Sequence, residues 1–207
     1  MTSVLDLAPV LPVVVLEDAA DAVPLARALV AGGLPAIEVT LRTAAAPEAI
    51  RAITFEVPGA VVGAGTVLSG GDVRTAVAAG ARFLVSPGWT DQLLDAMKVS
   101  GVPFLPGVST ASEVMALLER GITEMKFFPA EAAGGTAYLK SLASPLPAAR
   151  FCPTGGIGLT SAPSYLALPN VGCVGGTWML PAEAVRTRDW ARVETLAREA
   201  AALRDRP

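Results

Sequence analysis

Residues 10–41, VLPVVVLEDAADAVPLARALVAGGLPAIEVTL, contain the unit from which the fold is predicted. A short apolar run at residues 10–16 is followed by an amphipathic stretch at 21–31, and a glycine pair separates that stretch from a second apolar run at 36–41. Short apolar runs that alternate with helical stretches are typical of parallel strands joined by helices. The stretch therefore predicts a β-strand, an α-helix and a second, parallel β-strand.

The same unit recurs along the whole chain. The predicted strands are residues 10–16, 36–41, 61–67, 83–86, 103–108, 125–129, 151–156 and 171–176. The predicted helices are residues 21–31, 47–53, 72–79, 91–99, 111–119, 136–142, 162–168 and 181–203. Eight successive βα units predict a single α/β domain, residues 1–207, folded as a compact (β/α)₈ TIM barrel. An open doubly wound sheet is the alternative, but the GxGxxG turn that it usually has after its first strand is missing here.

Glycines and short polar residues mark the ends of the predicted helices. Glycines that follow a helical stretch predict left-handed C-terminal caps, and these are Gly32, Gly80, Gly101 and Gly121. Hydroxyl residues that precede a helical stretch predict N-caps, and these are Ser69, Thr90 and Thr110.

The composition excludes several kinds of chemistry. The 207 residues include no histidine, so triads with a histidine base, HExxH zinc sites and histidine-ligated metal sites are excluded. Acid–base work is therefore left to Glu, Asp, Lys or Tyr, and metal-free chemistry is expected. Cys152 and Cys173 lack CxxC spacing and are expected to be reduced thiols.

Charge and hydropathy indicate the partners and the cellular location of the protein. A net charge of -3 offers no basic surface for nucleic acid, and a hydrophobic content of 52% is enough to bury a large core. The first residues, Met1-Thr2-Ser3-Val4-Leu5-Asp6, have no basic targeting segment, and the apolar run at 10–16 is too short to span a bilayer. A cytoplasmic protein without a membrane partner is expected.

One lysine lies in an otherwise apolar run, Glu124-Met125-Lys126-Phe127-Phe128-Pro129-Ala130. Burial disfavours the charged ammonium form, and the uncharged amine is a nucleophile. Lys126 is therefore a candidate Schiff-base residue. The alternative is a lysine at a strand end whose stem lies along apolar surface while its ammonium group stays in water.

Polar residues at the ends of the predicted strands are the other candidates, because the active site of such a barrel lies at the C-terminal ends of its strands. In Ile37-Glu38-Val39-Thr40-Leu41-Arg42, the side chains of Glu38, Thr40 and Arg42 share one face of a strand. Glu38 is the candidate acid–base residue. Alternatively, Glu38 forms a buried ion pair with Arg42 or Lys126 that serves packing alone, and Arg42 is a surface residue.

Small residues end three further strands. Gly63-Ala64-Gly65-Thr66-Val67 allows a ligand to approach the backbone and adds a hydroxyl, although a tightly packed barrel would also need such glycines. Strands seven and eight end in Thr154-Gly155-Gly156 and Gly175-Gly176-Thr177. Glycine pairs after the last two strands are typical of the phosphate site of these barrels, where free N–H groups face an anion.

Seven motifs in this order resemble those of the KDPG/KHG aldolase family, the class I 2-keto-3-deoxy-6-phosphogluconate aldolases, and the resemblance runs from Pro12 to about Ala200. The motifs are Ile37-Glu38-Val39-Thr40-Leu41-Arg42-Thr43, Gly63-Ala64-Gly65-Thr66-Val67, Ser86-Pro87-Gly88, Pro106-Gly107-Val108, Lys126-Phe127-Phe128-Pro129-Ala130-Glu131, Pro153-Thr154-Gly155-Gly156-Ile157 and Gly175-Gly176-Thr177-Trp178.

The resemblance implies a role for each candidate residue. Lys126 would attack the keto carbon of the substrate and form an imine, while Glu38 would shuttle protons. Arg42 and Thr66 would hold the pyruvyl carboxylate. The backbone of the two glycine pairs and one hydroxyl would bind the distal phosphate, at Gly155, Gly156, Gly176 and Thr177.

The implied reaction is the reversible cleavage of 2-dehydro-3-deoxy-6-phosphogluconate into pyruvate and glyceraldehyde 3-phosphate, a lyase step of the Entner-Doudoroff pathway. The resemblance implies no metal or organic cofactor, and it implies a homotrimer. Two alternatives stay open: the same mechanism on 4-hydroxy-2-oxoglutarate or 2-dehydro-3-deoxy-6-phosphogalactonate, and a non-catalytic phosphate-binding barrel. Two departures bear on the substrate, since Thr177 replaces a frequent serine and Leu16-Glu17-Asp18 ends strand one where relatives often have a basic residue.

Overall fold

The computed structural model describes residues 3–205, which form parallel β-sheet curled on itself and covered by helices. Met1, Thr2, Arg206 and Pro207, the ends of the predicted domain, lie outside the described residues. The described strands are β1 Val10–Val14, β2 Ala36–Thr40, β3 Val61–Gly65, β4 Leu84–Val85, β5 Phe104–Leu105, β6 Gly107–Val108, β7 Glu124–Phe127, β8 Arg150–Pro153 and β9 Val174–Gly176. Their positions confirm all eight predicted strand regions.

The strands pair as two parallel sheets. Six strands are hydrogen-bonded in the order β5-β4-β3-β2-β1-β9, and three in the order β6-β7-β8. Two isolated parallel bridges, Phe151 to Val171 and Thr154 to Gly175, connect the second sheet to the β9 end of the first. These bridges join the two sheets at one edge. At the other edge, the chain runs directly from β5 in the first sheet to β6 in the second.

The predicted fifth strand, residues 103–108, is divided in two at Pro106. Proline has no N–H group to donate to a neighbouring strand. The Pro106 carbonyl still accepts a hydrogen bond from the N–H of Lys126 at 3.0 Å. Gly107 then passes so close to Pro87 that a Cβ on it would overlap the Pro87 carbonyl group. The division is therefore local, and the chain continues in the same direction.

The described α-helices are α1 Ala22–Ala31, α2 Ala46–Glu56, α3 Gly70–Ala78, α4 Asp91–Ser100, α5 Ala111–Glu119, α6 Gly135–Ala143, α7 Ala162–Leu166, α8 Ala182–Arg186 and α9 Trp190–Ala201. The prediction of one long helix over 181–203 is wrong. Arg188 has a left-handed φ of 57°, which ends α8, and the Asp189 side chain accepts a hydrogen bond from the N–H of Arg192 and begins α9. The break arises because an aspartate N-cap starts a new helix there.

Both faces of the central strands are buried, as parallel sheets require. One large apolar cluster fills the space between strands and helices. A second, smaller cluster lies inside the curl of the sheet and contains Val4, Leu5, Leu11, Ala36, Phe83, Val85, Leu105, Cys152 and Cys173. Every strand therefore alternates between an outer, helix-facing set of side chains and an inner set.

The N-terminal segment closes the amino-terminal end of the strands. Its 3₁₀ turn, Val4–Asp6, buries Leu5 in the inner cluster. Ser3 donates a hydrogen bond to Glu124 at the start of β7, and Arg150 at the start of β8 forms ion pairs with Asp6 and Glu124. The hydrogen bond with Asp6 is the main cause that raises the pKa of Arg150. Solvent and ligands therefore have access from the opposite, carboxyl-terminal end of the strands.

The predicted helix caps are confirmed at every position except one. The hydroxyls of Ser69, Thr90 and Thr110 each accept a hydrogen bond from the first turn of the following helix. Positive φ values confirm the predicted left-handed glycines Gly80, Gly101 and Gly121. Gly32 is the exception, because its φ is -75° and Gly33 takes the left-handed conformation instead. A Cβ on Gly32 would overlap that of Ala197, so its glycine allows α1 and α9 to approach each other.

Among residues 3–205, no helix is both long enough and apolar enough to cross a bilayer.

The capping box of α5 leads to a pH-dependent prediction. Glu113 accepts hydrogen bonds from the N–H groups of Ser109 and Thr110, both at 2.8 Å. Burial raises the pKa of Glu113, but these hydrogen bonds outweigh it and hold the pKa below its ordinary value of 4.5. A carboxylate with a lowered folded-state pKa stabilises the fold above its unfolded pKa, and this stability is lost as pH falls through the folded pKa.

We therefore expect Glu113→Ala to lower the free energy of unfolding by about 1 kcal/mol at pH 7, as loss of a cap does. The difference from the unmodified protein should shrink as the pH falls below 4.5. Urea unfolding at pH 7 and at acid pH measures both values. Glu119→Ala, at the other end of α5, is the matched control and should not lower stability, because an acidic residue there opposes the helix dipole. Equal loss at both pH values would contradict the prediction.

Candidate active site

Lys126 and Glu38 meet inside the curl of the sheet. The Lys126 side chain is on the inner face, because its register partner on β8 is Cys152, a member of the inner cluster. Glu38 is on β2, which is not a neighbour of β7 in either sheet, yet the Lys126 Nζ lies 3.4 Å from the Glu38 Oε1. Lys126 is 5% exposed and Glu38 is 1% exposed. The sheet must therefore curl for the two side chains to meet, and Lys126 is not a surface lysine.

The pair retains unused hydrogen-bonding capacity. The second carboxylate oxygen of Glu38, Oε2, is buried and has no hydrogen-bond partner among residues 3–205. Besides its contact with Glu38, the Lys126 Nζ lies 5.2 Å from the centre of the Phe128 ring, within cation–π range. Buried polar atoms without partners are uncommon, and each calls for a functional or structural explanation. An amine and a carboxylate oxygen are thus placed where a small polar ligand could bond to both.

Two glycines make room for this pair and its surroundings. A Cβ on Gly65 would overlap the Glu38 Oε1 and would lie 2.6 Å from its Cγ. Gly63, the register partner of Glu38, has the Phe83 ring packed directly over its Cα. The Gly63-Ala64-Gly65 sequence is therefore required because the Glu38 carboxylate and an aromatic ring occupy the space that side chains on β3 would take.

Arg42 and Thr66, to which the family resemblance assigns the substrate carboxylate, are in contact. The Nε of Arg42 donates a hydrogen bond to the Thr66 Oγ1 at 3.1 Å. The guanidinium is exposed, whereas Thr66 is partly buried beside Gly65. Thr66 has a φ of 56°, a left-handed conformation that costs a non-glycine residue on the order of 1 kcal/mol. Strain of this kind is concentrated at functional sites. The two residues offer a cation and a hydroxyl close to the Glu38 carboxylate.

The two glycine pairs also lie side by side. The bridge from Thr154 to Gly175 places the loop after β8 next to the end of β9. Gly155 and Gly156 have φ values of 109° and 83°, which favour glycine. Their N–H groups donate no backbone hydrogen bond within residues 3–205. Successive free amides in left-handed conformations form a concave site for an anion.

Gly176 and Thr177 complete this side of the site. A Cβ on Gly176 would overlap the six-membered ring of Trp178, so Trp178 packs where a side chain at position 176 would stand. Thr177, directly after β9, is exposed. The four residues predicted to bind a phosphate therefore lie at the ends of two adjacent strands.

A cavity of about 720 Å³ lies beside Thr177, at the ends of β1 and β9. Val13, the register partner of Glu38, lies on its lining, whereas neither Lys126 nor Glu38 does. Its rim includes Arg186 and Arg188, which the sequence analysis did not select. Both are exposed and ion-paired to acidic residues: Arg186 to Glu183, and Arg188 to Asp18 and Asp21. Basic groups are thus present near the acidic end of β1, but their charges are balanced locally.

Glu131 and Tyr165 form a contact that the sequence analysis did not predict. The Tyr165 hydroxyl donates a hydrogen bond to the Glu131 Oε1 at 2.7 Å. Glu131 is part of the motif that follows Lys126, so its position could have been noticed. Tyr165 lies 34 positions further on, and no sequence pattern connects the two.

The thiols and carboxylates of this chain are the groups that could bind a metal ion. Cys152 and Cys173 are free and buried, which confirms the expected reduced thiols. Interaction with Cys152, followed by burial, raises the pKa of Cys173. Within the part of the chain that the structure describes, no three His, Cys, Asp or Glu side chains come together as a metal site would require. Metal-free chemistry stays a prediction.

The close fit of Glu38 over Gly65 leads to a stability prediction. Gly65→Ala should lower the free energy of unfolding by about 1–3 kcal/mol, because the new methyl group displaces the Glu38 carboxylate. Gly70→Ala is the control, since a Cβ at the start of α3 would lie no closer than 3.5 Å to other atoms. Chemical denaturation of both variants measures the difference. Equal stability of the two variants would show that Glu38 moves without cost.

Comparison with known proteins agrees with this geometry. A family model described as KDPG and KHG aldolase matches residues 1–196. The KHG/KDPG aldolase of Escherichia coli strain K12 is 50% identical over 198 residues, which are 96% of this chain and 93% of that protein.

Two solved structures are closely similar. The KDPG aldolase of Legionella pneumophila, with pyruvate captured at low pH as a covalent carbinolamine intermediate, has a TM-score of 0.93 and 45% identity, covering 95% of this chain and 96% of its own. The 2-keto-3-deoxy-6-phosphogluconate aldolase of Zymomonas mobilis ZM4 with 3-phosphoglycerate has a TM-score of 0.91 and 53% identity, covering 96% and 93%. With a buried lysine–glutamate pair in place and a match over nearly its whole length, the chain belongs to the KDPG and KHG aldolase family.

Proposed function

We propose that this chain is a class I aldolase that reversibly cleaves 2-dehydro-3-deoxy-6-phosphogluconate into pyruvate and glyceraldehyde 3-phosphate. The single observation behind this proposal is the buried Lys126 Nζ at 3.4 Å from the Glu38 Oε1. A buried amine beside a carboxylate is the arrangement that a Schiff-base mechanism needs, because proton transfer must accompany every step of imine formation.

Catalysis starts with transfer of one proton from the Lys126 ammonium to Glu38, and the uncharged amine then attacks the keto carbon. A further amine proton moves to the former keto oxygen, which gives a carbinolamine, and Glu38 donates the proton that lets its hydroxyl leave as water. The resulting protonated imine withdraws electrons from the C3–C4 bond. Glu38, now a carboxylate, takes the proton of the C4 hydroxyl as that bond breaks, the aldehyde product leaves, and an enamine remains on Lys126. Glu38 gives this proton to the enamine carbon, and hydrolysis of the imine by one water releases pyruvate and restores the Lys126 ammonium.

The substrate is oriented by groups at both of its ends. Arg42 and Thr66 hold the pyruvyl carboxylate, with the guanidinium as a charge-assisted donor. The distal phosphate binds to the free amides of Gly155 and Gly156 and to the backbone and hydroxyl of Gly176 and Thr177. Support for this assignment comes from the Zymomonas mobilis relative, whose structure holds 3-phosphoglycerate, and from the Legionella relative, whose structure holds a pyruvate carbinolamine.

A second candidate is the same chemistry on another keto acid, such as 4-hydroxy-2-oxoglutarate or 2-dehydro-3-deoxy-6-phosphogalactonate. The acidic end of β1 favours 4-hydroxy-2-oxoglutarate alone, since Glu17 lies on the cavity beside Thr177 and would repel a phosphate dianion more than the single distal carboxylate charge of that substrate. The Escherichia coli relative is named for both KHG and KDPG. Comparing kcat/KM for the three substrates decides between the candidates. A non-catalytic phosphate-binding barrel is the remaining alternative.

We further propose that the two sheets close into one eight-stranded (β/α)₈ barrel, with β5 and β6 acting as one strand, and that residues 1–207 form a single domain. Pyruvate and the phosphorylated keto acid are its proposed partners, without nucleic acid or membrane. Cytoplasmic location and the lack of a cofactor stay predictions of the sequence.

The imine mechanism predicts a covalent adduct. Borohydride reduction in the presence of pyruvate should attach a pyruvyl group to the peptide that contains Lys126, measured by intact mass and peptide mapping. Lys126→Met should form no adduct and lose activity by several orders of magnitude, because the nucleophile is gone. Lys140→Met, which removes an exposed lysine of α6, should react like the unmodified protein. Full turnover by Lys126→Met would overturn the imine mechanism, whereas a folded, unmodified protein that forms no adduct and shows no turnover would leave the binding barrel.

Assembly as a homotrimer is a separate prediction. Several large apolar side chains are exposed in the single chain, among them Val99 at 88%, Phe55 at 78% and Leu68 at 61%. Exposed apolar surface of this kind favours association with further copies. Light scattering should give a mass close to three times the 21.1 kDa of one chain. A monomer mass that does not change with concentration would contradict the prediction.

A further inference from the structure

The loop after β7 is hydrogen-bonded to the glycine loop after β8. The N–H of Ala130 donates to the Thr154 carbonyl at 2.8 Å, and the N–H of Glu131 donates to the Gly155 carbonyl at 3.1 Å. In a trans peptide the C=O and the next N–H are fixed in one plane and point in opposite directions. The two hydrogen bonds therefore orient the N–H groups of Gly155 and Gly156 away from the β7 loop.

The Glu131 side chain continues this contact. A Cβ on Gly156 would lie 2.6 Å from the Cγ of Glu131 and 2.9 Å from its Cβ, so the stem of Glu131 rests on the Gly156 backbone. The Glu131 carboxylate in turn accepts the hydrogen bond from Tyr165 at 2.7 Å. Tyr165 is 1% exposed and belongs to α7, the helix that follows the glycine loop. Glu131 is thus held between the glycine loop and a rigid aromatic side chain.

We propose that Glu131, fixed by Tyr165, is a positioning residue that orients the amides of Gly155 and Gly156 for the phosphate of the substrate. This inference rests on the proposed function, because it requires that the phosphate bind at this loop. Glu131 does not touch the reacting atoms. It acts through the glycine loop, whose left-handed φ values leave that loop with little stiffness of its own. Burial, followed by the hydrogen bond to Glu131, raises the pKa of the Tyr165 hydroxyl above its ordinary value.

A purely structural role for Glu131 is the competing explanation. Its Oε2 lies 3.8 Å from the position that a Cβ on Gly135 would occupy, at the start of α6. A carboxylate there stabilises the helix through the dipole. Loss of that contribution would affect every substrate equally. Loss of phosphate positioning would affect only a phosphorylated substrate, so the two roles predict different kinetics.

The test compares 2-dehydro-3-deoxy-6-phosphogluconate with its unphosphorylated analogue, 2-dehydro-3-deoxygluconate. In Glu131→Ala we expect KM for the phosphorylated substrate to rise about tenfold, the factor that corresponds to one lost hydrogen bond to a charged group. We expect unchanged kcat, unchanged kcat/KM for the unphosphorylated analogue, and unchanged trapping of pyruvate on Lys126. Tyr165→Phe should shift KM in the same direction, and Glu131→Gln, which keeps the acceptor and the stem, should stay close to the unmodified enzyme.

Each result distinguishes among the explanations. Equal loss of kcat/KM for both substrates, or no loss for either, would overturn the positioning role. Should Glu131→Ala fail to fold, Tyr165→Phe decides alone, and an unchanged KM for the phosphorylated substrate would overturn the inference. Glu119→Ala is the control for charge and is expected to match the unmodified enzyme. An unmodified enzyme without preference for the phosphorylated substrate would refute the phosphate site itself, whereas a preference that is undiminished in Glu131→Ala would refute only the role of Glu131.

Discussion

The contact between Lys126 and Glu38 is the interaction on which the rest of the inner structure depends. Placing an amine and a carboxylate in an interior without water costs several kcal/mol for each charge, and their mutual attraction offsets this cost only in a fixed geometry. The two residues come from strands that are not neighbours, so the geometry exists only while the sheet is curled. The proposed imine chemistry would account for an interaction that costs the fold so much stability.

Small residues and large side chains fit together around this contact. On the inner face, side chains lie over glycines of neighbouring strands, in the pairs Gly65 with Glu38, Gly63 with Phe83 and Gly175 with Thr154. Cys152 and Leu105 belong to the apolar inner cluster, and the N-terminal turn closes the amino-terminal ends of the strands. Access to the pair is therefore left at the carboxyl-terminal ends of the strands.

Local sequence signals were reliable where one short segment is sufficient to specify the structure. Hydroxyl N-caps such as Thr90 act on the turn that follows them, and left-handed glycines such as Gly101 end the helix before them. The predictions failed where a distant segment decides. Gly32 is needed because α9 approaches the end of α1 there, and no local sequence pattern indicates that contact. The helix over 181–203 was predicted from composition, although Asp189 ends that continuity by capping a new helix.

The same distinction between local signals and distant contacts applies to the candidate site. The sequence by itself determined the strand regions and most of the helix caps, and it made Lys126 and Glu38 candidates, because the apolar run around Lys126 and the period of two around Glu38 are local properties. Only the tertiary structure decided that these two side chains meet at 3.4 Å, that Thr66 is strained beside Arg42, and that Tyr165 reaches Glu131. Such contacts depend on the curl and register of the sheet. Both arise from packing of the whole chain, so they cannot be predicted from any single position.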